Sequence, residues 1–373
     1  NQQLEETTAA LKEFNHMLED EITERTKREE EISYLSYHDK LTGLYNRRFY
    51  EEEIKRIDIK RNLPISIIMG DVNGLKLVND AFGHEKGDEL LLKAAEAIQK
   101  VCRKADCAAR WGGDEFIILL PKTKNEEVQE IVKKMNEQFL TDKVGNLQVS
   151  VSFGWETKKK PEEDIMKVLK NAEDHMYEQK IIENQAIKGN VINIINDTLF
   201  EKNRMEELHS KRVGDLCQKL GQAMGLSDME VIKLKTAGVL HDIGKIMVDH
   251  KILMKKSNLI EQEWNEIKRH TDIGYRILSS SFNMLELAEG ILSHHERWDG
   301  KGYPQGLKGE AIPLVARIIA LADSYDAMIS DRPYRNALSE EEALAEIREN
   351  AGTQFEPEIA RIFVEKVLGK KWS

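Results

Sequence analysis

The apolar pattern changes its period once along the chain, near residue 186, and no single packed layer accommodates both halves. From about 36 to 185, apolar runs of strand length alternate with stretches of helical period. "PISIIMGDV" (64–72) reads as a buried strand, and a helix follows around 87–102. Two short strands flank "WGGDE", a helix lies near 125–140, "LQVSVSFGW" reads as a strand, and a helix covers about 162–182. This predicts an α/β domain over 36–185. From 186 to 373 the strand signals vanish and helical periodicity takes over, which predicts an all-α domain. A length of 373 residues suits two such domains.

Residues 1–35 are polar and rich in Glu, Lys and Arg. A seven-residue track runs Leu4, Leu11, Leu18, Arg25, Ile32, with Phe14 and Leu35 on the adjoining track. The spacing predicts a short, imperfect coiled coil, a parallel homodimer stalk, against the simpler alternative of a solvated helix. The chain begins at Asn1, so we expect an upstream sensor in a longer protein.

The net charge of −11 excludes broad, salt-driven binding to DNA or other nucleic acid. A chain this acidic must handle phosphate locally, through cations and a few placed Lys or Arg. No apolar run approaches the roughly 18 residues of a membrane span. Cys102, Cys107 and Cys217 form neither a disulfide framework nor a CxxC pair, which predicts a reducing, cytoplasmic setting.

In "RWGGDEFIILLP" (110–121) the paired glycines separate two strand-like runs, so a tight hairpin is expected to present Asp114 and Glu115. Asp71 ends the strand before it. Three converging carboxylates repel unless a hard cation lies among them, and magnesium carrying a nucleoside triphosphate suits oxygen-only ligation. Lys76 could meet its phosphates, and Asn79 and Asp88 could read a purine edge. On the tetrapeptide alone, a surface hairpin with ordinary acids remains an equal alternative.

Six of the ten histidines follow residue 200: His209, His241, His250, His270, His294 and His295. Asp242 follows His241 directly, and Asp323 lies in a helical run. His16, His38, His175 and His250 are read as ordinary surface or satisfied residues, and His84 as structural. The others are spread over several helices that a bundle could bring together around two metal ions. Mixed imidazole and carboxylate ligation suits iron, manganese, nickel, cobalt or zinc.

Both halves resemble known families. "DKLTGLYNRRFY" (39–50), "DVNGLKLVNDAFGHEKGD" (71–88) and "RWGGDEF" (110–116) resemble the GGDEF diguanylate cyclases, which have a nucleotidyl-cyclase, palm-like α/β fold and condense two GTP into cyclic di-GMP across a homodimer. The resemblance implies that Asp71, the Val72 carbonyl, Asp114 and Glu115 hold magnesium, with Asp114 and Glu115 catalytic, while Asn79 and Asp88 recognise guanine. It also implies that Lys180 contacts phosphate and that Arg103 and Asp106, in "RKAD", form an inhibitory product site. One departure weakens triphosphate binding: Glu183-Asn184-Gln185 stands where the family has Gly-Arg-Asn.

"HSKRV" (209–213), "LHDIGK" (240–245), "KRHTDIGYRIL" (268–278), "HHERWDGKGYP" (294–304) and "ADSYDAMISDRPYR" (322–335) resemble the HD-GYP phosphodiesterases of cyclic di-GMP. That resemblance implies His209, His241, Asp242, His270, His294, His295 and Asp323 as metal ligands, Asp242 bridging and catalytic. Lys245, also placed in catalysis, Arg332 and Arg335 would bind phosphate, and Gly302, Tyr303 and Pro304 would wall the substrate. Some members carry a glutamate four residues before the first histidine, supporting a third metal. Here that position is Met205, so a dinuclear site is expected, with Glu206 or Glu207 substituting only on a shift of helix register.

The expected chain is thus a coiled-coil signalling helix, a GGDEF domain and an HD-GYP bundle. It would hydrolyse cyclic di-GMP through the second domain, and the first could make it. The alternative is a non-catalytic first domain that binds GTP or cyclic di-GMP and tunes the hydrolase. A purely interacting scaffold would require an empty metal cage.

Overall fold

The structure, a computed structural model, describes all residues except 1, 142, 256, 281–283, 332–335 and 373; the side chains of 2–15, 29–31, 33 and 183–187 also lie outside the description. Contacts divide the chain into two compact units: Asn1–Asn73 with Asp88–Glu183, and Gly74–Gly87 with Asn184–Ser373.

The first unit opens with helix α1 (Gln2–Tyr37). Of the expected coiled-coil track, Leu18, Ile32 and Leu35 are exposed. Leu4, Leu11 and Phe14 fall outside the described side chains. At the foot of α1, the His38 ring stacks on Tyr34. Next to it, the Asp39 carboxylate accepts from the Thr42 amide and hydroxyl and from Arg110 Nη1 at 3.2 Å.

A five-stranded mixed sheet follows, in the order β1-β3-β4-β2-β7. Its strands are β1 (Tyr45–Asn46), β2 (Ile65–Val72), β3 (Cys107–Gly112), β4 (Glu115–Pro121) and β7 (Val151–Lys158). The central β2 is buried along its whole length, as its unbroken apolar run requires. Ile65, Ile67 and Met69 of β2 pack with residues of α2 (Arg47–Ile57) and of the late helix α6 (Ile165–Lys202). Helices α4 (His84–Val101) and α5 (Asn125–Thr141) add further buried apolar residues.

Two sequence expectations need correction. The strand predicted over 147–155 is split: Leu147–Gln148 (β6) pairs with Lys143–Val144 (β5) across a turn at Gly145, which has φ of 60°, and the long strand starts at Val151. The helix predicted over 162–182 runs on to Lys202, through the expected boundary at 185–186. Residues 183–202 hold no proline and one glycine, so nothing local stops it before the Asn203 cap of the next helix.

The second unit is helical, as expected. Its helices are α3 (Leu75–Phe82), α7 (Arg204–Ala223), α8 (Asp228–Leu240), α9 (His250–Leu253), α10 (Glu261–Lys268), α11 (His270–Ser279), α12 (Leu285–Leu292), α13 (Leu314–Ile329), α14 (Glu340–Glu349) and α15 (Pro357–Ile362). Reciprocal capping boxes at Ser227/Glu230 and Ser339/Glu342 fix the starts of α8 and α14. The core joins Val213, Cys217 and Leu220 of α7 to Ile318, Ile319 and Ala322 of α13 and to Ile359 and Phe363.

Candidate metal centre and acidic hairpin

Five histidines and two aspartates from separate helices meet in the second unit. His209 projects from α7, His241 caps α8, and Asp242 starts the 3-10 turn Ile243–Met247. His270 opens α11, His294 and His295 follow α12, and Asp323 lies in α13. Two glycines let these segments close. A Cβ on Gly244 would lie 1.9 Å from the His270 carbonyl, and one on Gly302 would lie 2.4 Å from the Arg297 nitrogen. The "HDIGK" turn and the "GYP" turn therefore need glycine for space.

The cage has two sides sharing Asp242. Asp242 Oδ2 lies 3.0 Å from His241 Nε2 and 4.0 Å from His209 Nε2, while Oδ1 lies 3.3 Å from His270 Nε2. Asp323 Oδ1 is 3.1 Å from His209 Nε2. Four overlapping sets could hold a metal ion: His270, His294 and His295; His209, His241 and Asp323; His241, Asp242 and His294; Glu206, His209 and Asp242.

The other ring nitrogens are tied down. His241, His270 and His294 set Nδ1 against the carbonyls of Gly238, Ile267 and Ile291 at 2.8, 2.6 and 2.6 Å, and His209 sets Nδ1 against Asp326 Oδ2 at 2.7 Å. An Nδ1–H donated outward leaves an Nε2 lone pair facing inward, the arrangement of metal-ligating imidazoles. His209 Nε2, His241 Nε2 and Asp242 Oδ1 are buried without a hydrogen-bond partner. Such orphans cost free energy unless something occupies the centre, so this donor set fits transition-metal ions.

The charges divide the same way. Burial opposes a proton on His209, but the neighbouring Asp323 and Asp326 carboxylates outweigh it and raise its pKa to about 10. His241 is also raised, by Asp242 against burial. Burial and neighbouring imidazoles depress His294 well below the usual range, and burial depresses His295 to about 4. Burial works against the Asp323 anion, yet His209 holds its pKa low.

Around the cage, Lys245 Nζ donates to Asp242 Oδ2 at 2.6 Å and to Glu206 Oε1 at 3.0 Å. Burial would lower the Lys245 pKa, but these two carboxylates raise it, so it stays a cation. Tyr303 stacks on His295 with centroids 4.9 Å apart. A cavity of about 530 Å³ opens over His209, Asp242, Lys245, His270, His295 and Asp323. Arg332 and Arg335 lie outside the described residues.

Of two further participants, Glu206 was expected only on a shift of register and Asp326 was missed in the sequence. Glu206 reaches the cage with no shift of register: Asn203 accepts from the Met205 and Glu206 amides and fixes the helix start, which puts Glu206 three residues before His209 on one face. This corrects the expectation that Glu206 needs a shift. Asp326, three residues after Asp323, orients His209 and is itself gripped by Arg212 Nε at 2.5 Å and Nη2 at 2.8 Å.

In the first unit, Asp71 of β2 stands directly opposite Glu115 of β4. Of the two hairpin glycines, Gly113 takes positive φ, 53°, while Gly112 stays in β3, so Asp114 sits at the tip and Glu115 begins the next strand. The Val72 amide donates to the Asp114 carbonyl at 3.0 Å. Burial raises the pKa of Asp71 and Asp114 adds to it; burial, Asp71 and Asp114 raise Glu115. Asp71 Oδ1 is buried without a partner, a place a cation fits. Lys180 Nζ pairs with Asp71 Oδ2 at 2.6 Å. Among the described residues, these acids do not bring three ligand atoms within 4.8 Å of one another.

Asp88 belongs to the first unit, whereas Lys76 and Asn79 lie in the segment grouped with the second. Asn79 Oδ1 is buried without a partner beside Gly87. Arg103 and Asp106 are paired through two 3.2 Å contacts, and Arg103 also donates to Thr123 at 2.6 Å.

Fold and site together define a chain that joins a nucleotide-cyclase-like α/β domain to a helical, metal-dependent hydrolase domain. Residues 36–185 match the family model for the diguanylate cyclase GGDEF domain, and residues 190–359 match that for an HD domain. A cyclic di-GMP phosphodiesterase of Thermotoga maritima is 34% identical over 333 residues, 87% of this chain and 84% of that protein. The cyclic di-GMP phosphodiesterase response regulator RpfG of Xanthomonas campestris is 44% identical over 149 residues, 39% of each chain. A 3'3'-cGAMP-specific phosphodiesterase 2 of Vibrio cholerae is 35% identical over 183 residues, 48% of this chain and 35% of that one. The chain belongs to the family that couples a GGDEF domain to an HD phosphodiesterase domain. Among the described residues, no helix is long and apolar enough to cross a membrane.

Proposed function

We propose that the helical domain is a phosphodiesterase that hydrolyses cyclic di-GMP. The observation that carries this reading is the shared carboxylate: Asp242 turns one oxygen to each of two imidazole sets, and its Oδ1, His209 Nε2 and His241 Nε2 are buried without a hydrogen-bond partner. His209, His241, Asp323 and Asp242 would hold one transition-metal ion, and His270, His294, His295 and Asp242 a second. Such a pair, when bound, supplies Lewis acidity that neutralises phosphate oxygens and lowers the pKa of water. The chain's own residues do the rest. Asp326 and the three helix-end carbonyls hold the imidazoles in the tautomer that presents Nε2 inward. Lys245, kept cationic by Asp242 and Glu206, offers positive charge to a phosphate entering the cavity. Tyr303, stacked on His295, restricts approach to that face.

Metal analysis with a hydrolysis assay on wild type and His294→Ala tests this, run with cyclic di-GMP and with 3'3'-cGAMP. Loss of metal and a rate lower by about 100-fold or more is expected for the variant. Unchanged metal content and rate would remove the site assignment, and turnover of 3'3'-cGAMP alone would change the substrate.

The first domain carries a second reading. Asp71, the Val72 carbonyl, Asp114 and Glu115 would hold magnesium. Asn79 and Asp88 would select guanine, with Lys76 and Lys180 meeting the phosphates of GTP. The Lys180–Asp71 pair and the acidic Glu183 position favour binding over fast turnover. Arg103 and Asp106 suit a cyclic di-GMP site that tunes the domain. Homodimerisation through α1 is supported by its exposed Leu18, Ile22 and Leu35.

A further inference from the structure

The cavity over the cage has walls of two chemistries. Its floor is imidazole and carboxylate, but another side presents Ile252, Leu253, Leu259, Trp264 and Ile267, with Lys255, Ser257 and Asn258 among them. Histidines aside, Trp264 and Tyr303 are the two aromatic rings that line it among the described residues. Tyr303 is already covered on His295. Trp264 stays 48% exposed and makes no ring–ring contact among the described residues.

The helix that carries the indole is fixed at its start. Glu263 accepts from the Ile260 amide at 2.9 Å and from Lys255 Nζ at 2.6 Å, pinning the start of α10. One turn later, Lys268 Nζ lies 5.9 Å from the Trp264 ring centroid and 5.2 Å from that of Tyr303. A half-exposed aromatic ring on the cavity wall, with a cation near it, is suited to receive a flat, electron-rich ring.

A phosphodiester held over the cage carries its nucleosides into this same cavity, and their bases have apolar faces that the acidic floor cannot cover. We propose that Trp264 is the stacking platform for a purine base of the substrate, a specificity-determining residue distinct from the metal ligands. This rests on the phosphodiesterase reading above.

The test compares Trp264→Ala and Trp264→Phe with wild type, metal-loaded, on cyclic di-GMP and on methyl p-nitrophenyl phosphate, a diester without a nucleobase. Base–aromatic stacking predicts that kcat/KM for cyclic di-GMP, taken relative to the simple diester, falls about tenfold or more in Trp264→Ala, through KM, with the phenylalanine variant between. Rapid mixing with cyclic di-GMP should quench indole emission in wild type, and Trp264→Phe should lose that quench. An unchanged ratio between the two substrates, or a quench that survives in Trp264→Phe, overturns the assignment. Wild type that cleaves the simple diester but neither binds nor cleaves cyclic di-GMP removes the substrate reading, and the platform with it.

Discussion

His209 illustrates how much of a metal site is set by residues that never meet the ion. Its ring enters the cage through Nε2 only while Asp326 holds Nδ1, and Arg212 in turn fixes Asp326. Partners of this kind commonly contribute a factor of about 10–100 to metal affinity. Asp326→Asn keeps the shape and removes the charge, so competition against a chelator should show weaker binding by about that factor; equal affinity would mean that the Nδ1 contact does not position the ring. Asp326 did not stand out in the sequence, and Glu206 entered only on a shift of register, although both lie one helical turn from a residue that did. The spacing signal was present, but a carboxylate three residues from a ligand reads the same whether it faces the cage or solvent. The direction was set by the Asn203 cap for Glu206 and by Arg212 for Asp326.

At the scale of elements, the site is a matter of how closely segments approach. The 3-10 turn carrying Asp242 reaches α11 because Gly244 lies against the His270 carbonyl. Gly244→Ala forces these two ligand-bearing segments apart. Overpacking of this sort costs about 1–3 kcal/mol, and the denaturant midpoint should fall accordingly, together with metal content. A variant with wild-type stability would show that the turn can move. Gly302 was marked in the sequence as part of the "GYP" wall, but Gly244 was not singled out, because the carbonyl that demands it belongs to His270, distant in the chain. The same limit explains why α6 was cut short and β7 begun early: periodicity marks an element's interior far better than its ends.

The junction of α1 with the sheet gives an element-scale pH prediction. Burial disfavours the Asp39 anion, but bonds from Thr42 and Arg110 outweigh it, so its pKa lies below the usual aspartate value. Arg110 also donates to the Gly113 carbonyl in the acidic hairpin at 3.0 and 2.6 Å. A depressed folded-state pKa means that the stabilisation is complete above the unfolded value, near 4, and is lost as pH falls through the folded one. Asp39→Asn should therefore lower the melting temperature at neutral pH and narrow the gap to wild type progressively below about pH 4. A gap independent of pH would assign the contribution of Asp39 to something other than its charge.

For the whole molecule, a net charge of −11 sets the terms on which phosphate can be bound. The helical domain meets that demand with five imidazoles and one shared acid placed to hold cations, and with Lys245 beside them. The α/β domain meets it less well: Lys180 is committed to Asp71, and Glu183 stands where the related cyclases carry glycine before their arginine. Protein supplied with GTP, magnesium and cyclic di-GMP together should show a net loss of cyclic di-GMP, followed by chromatography over time. Chelation with subsequent return of magnesium alone should abolish that loss, since magnesium prefers oxygen ligands to the imidazoles of the cage. His294→Ala then isolates the first domain. Cyclic product that appears from GTP in this variant, and disappears when Asp114→Ala is added, would establish a working cyclase that Lys180 does not block. Binding of GTP without product would fit the charge arrangement at Asp71. Net synthesis by the wild type would contradict it, because Lys180 would then have to leave Asp71 whenever GTP and magnesium arrive.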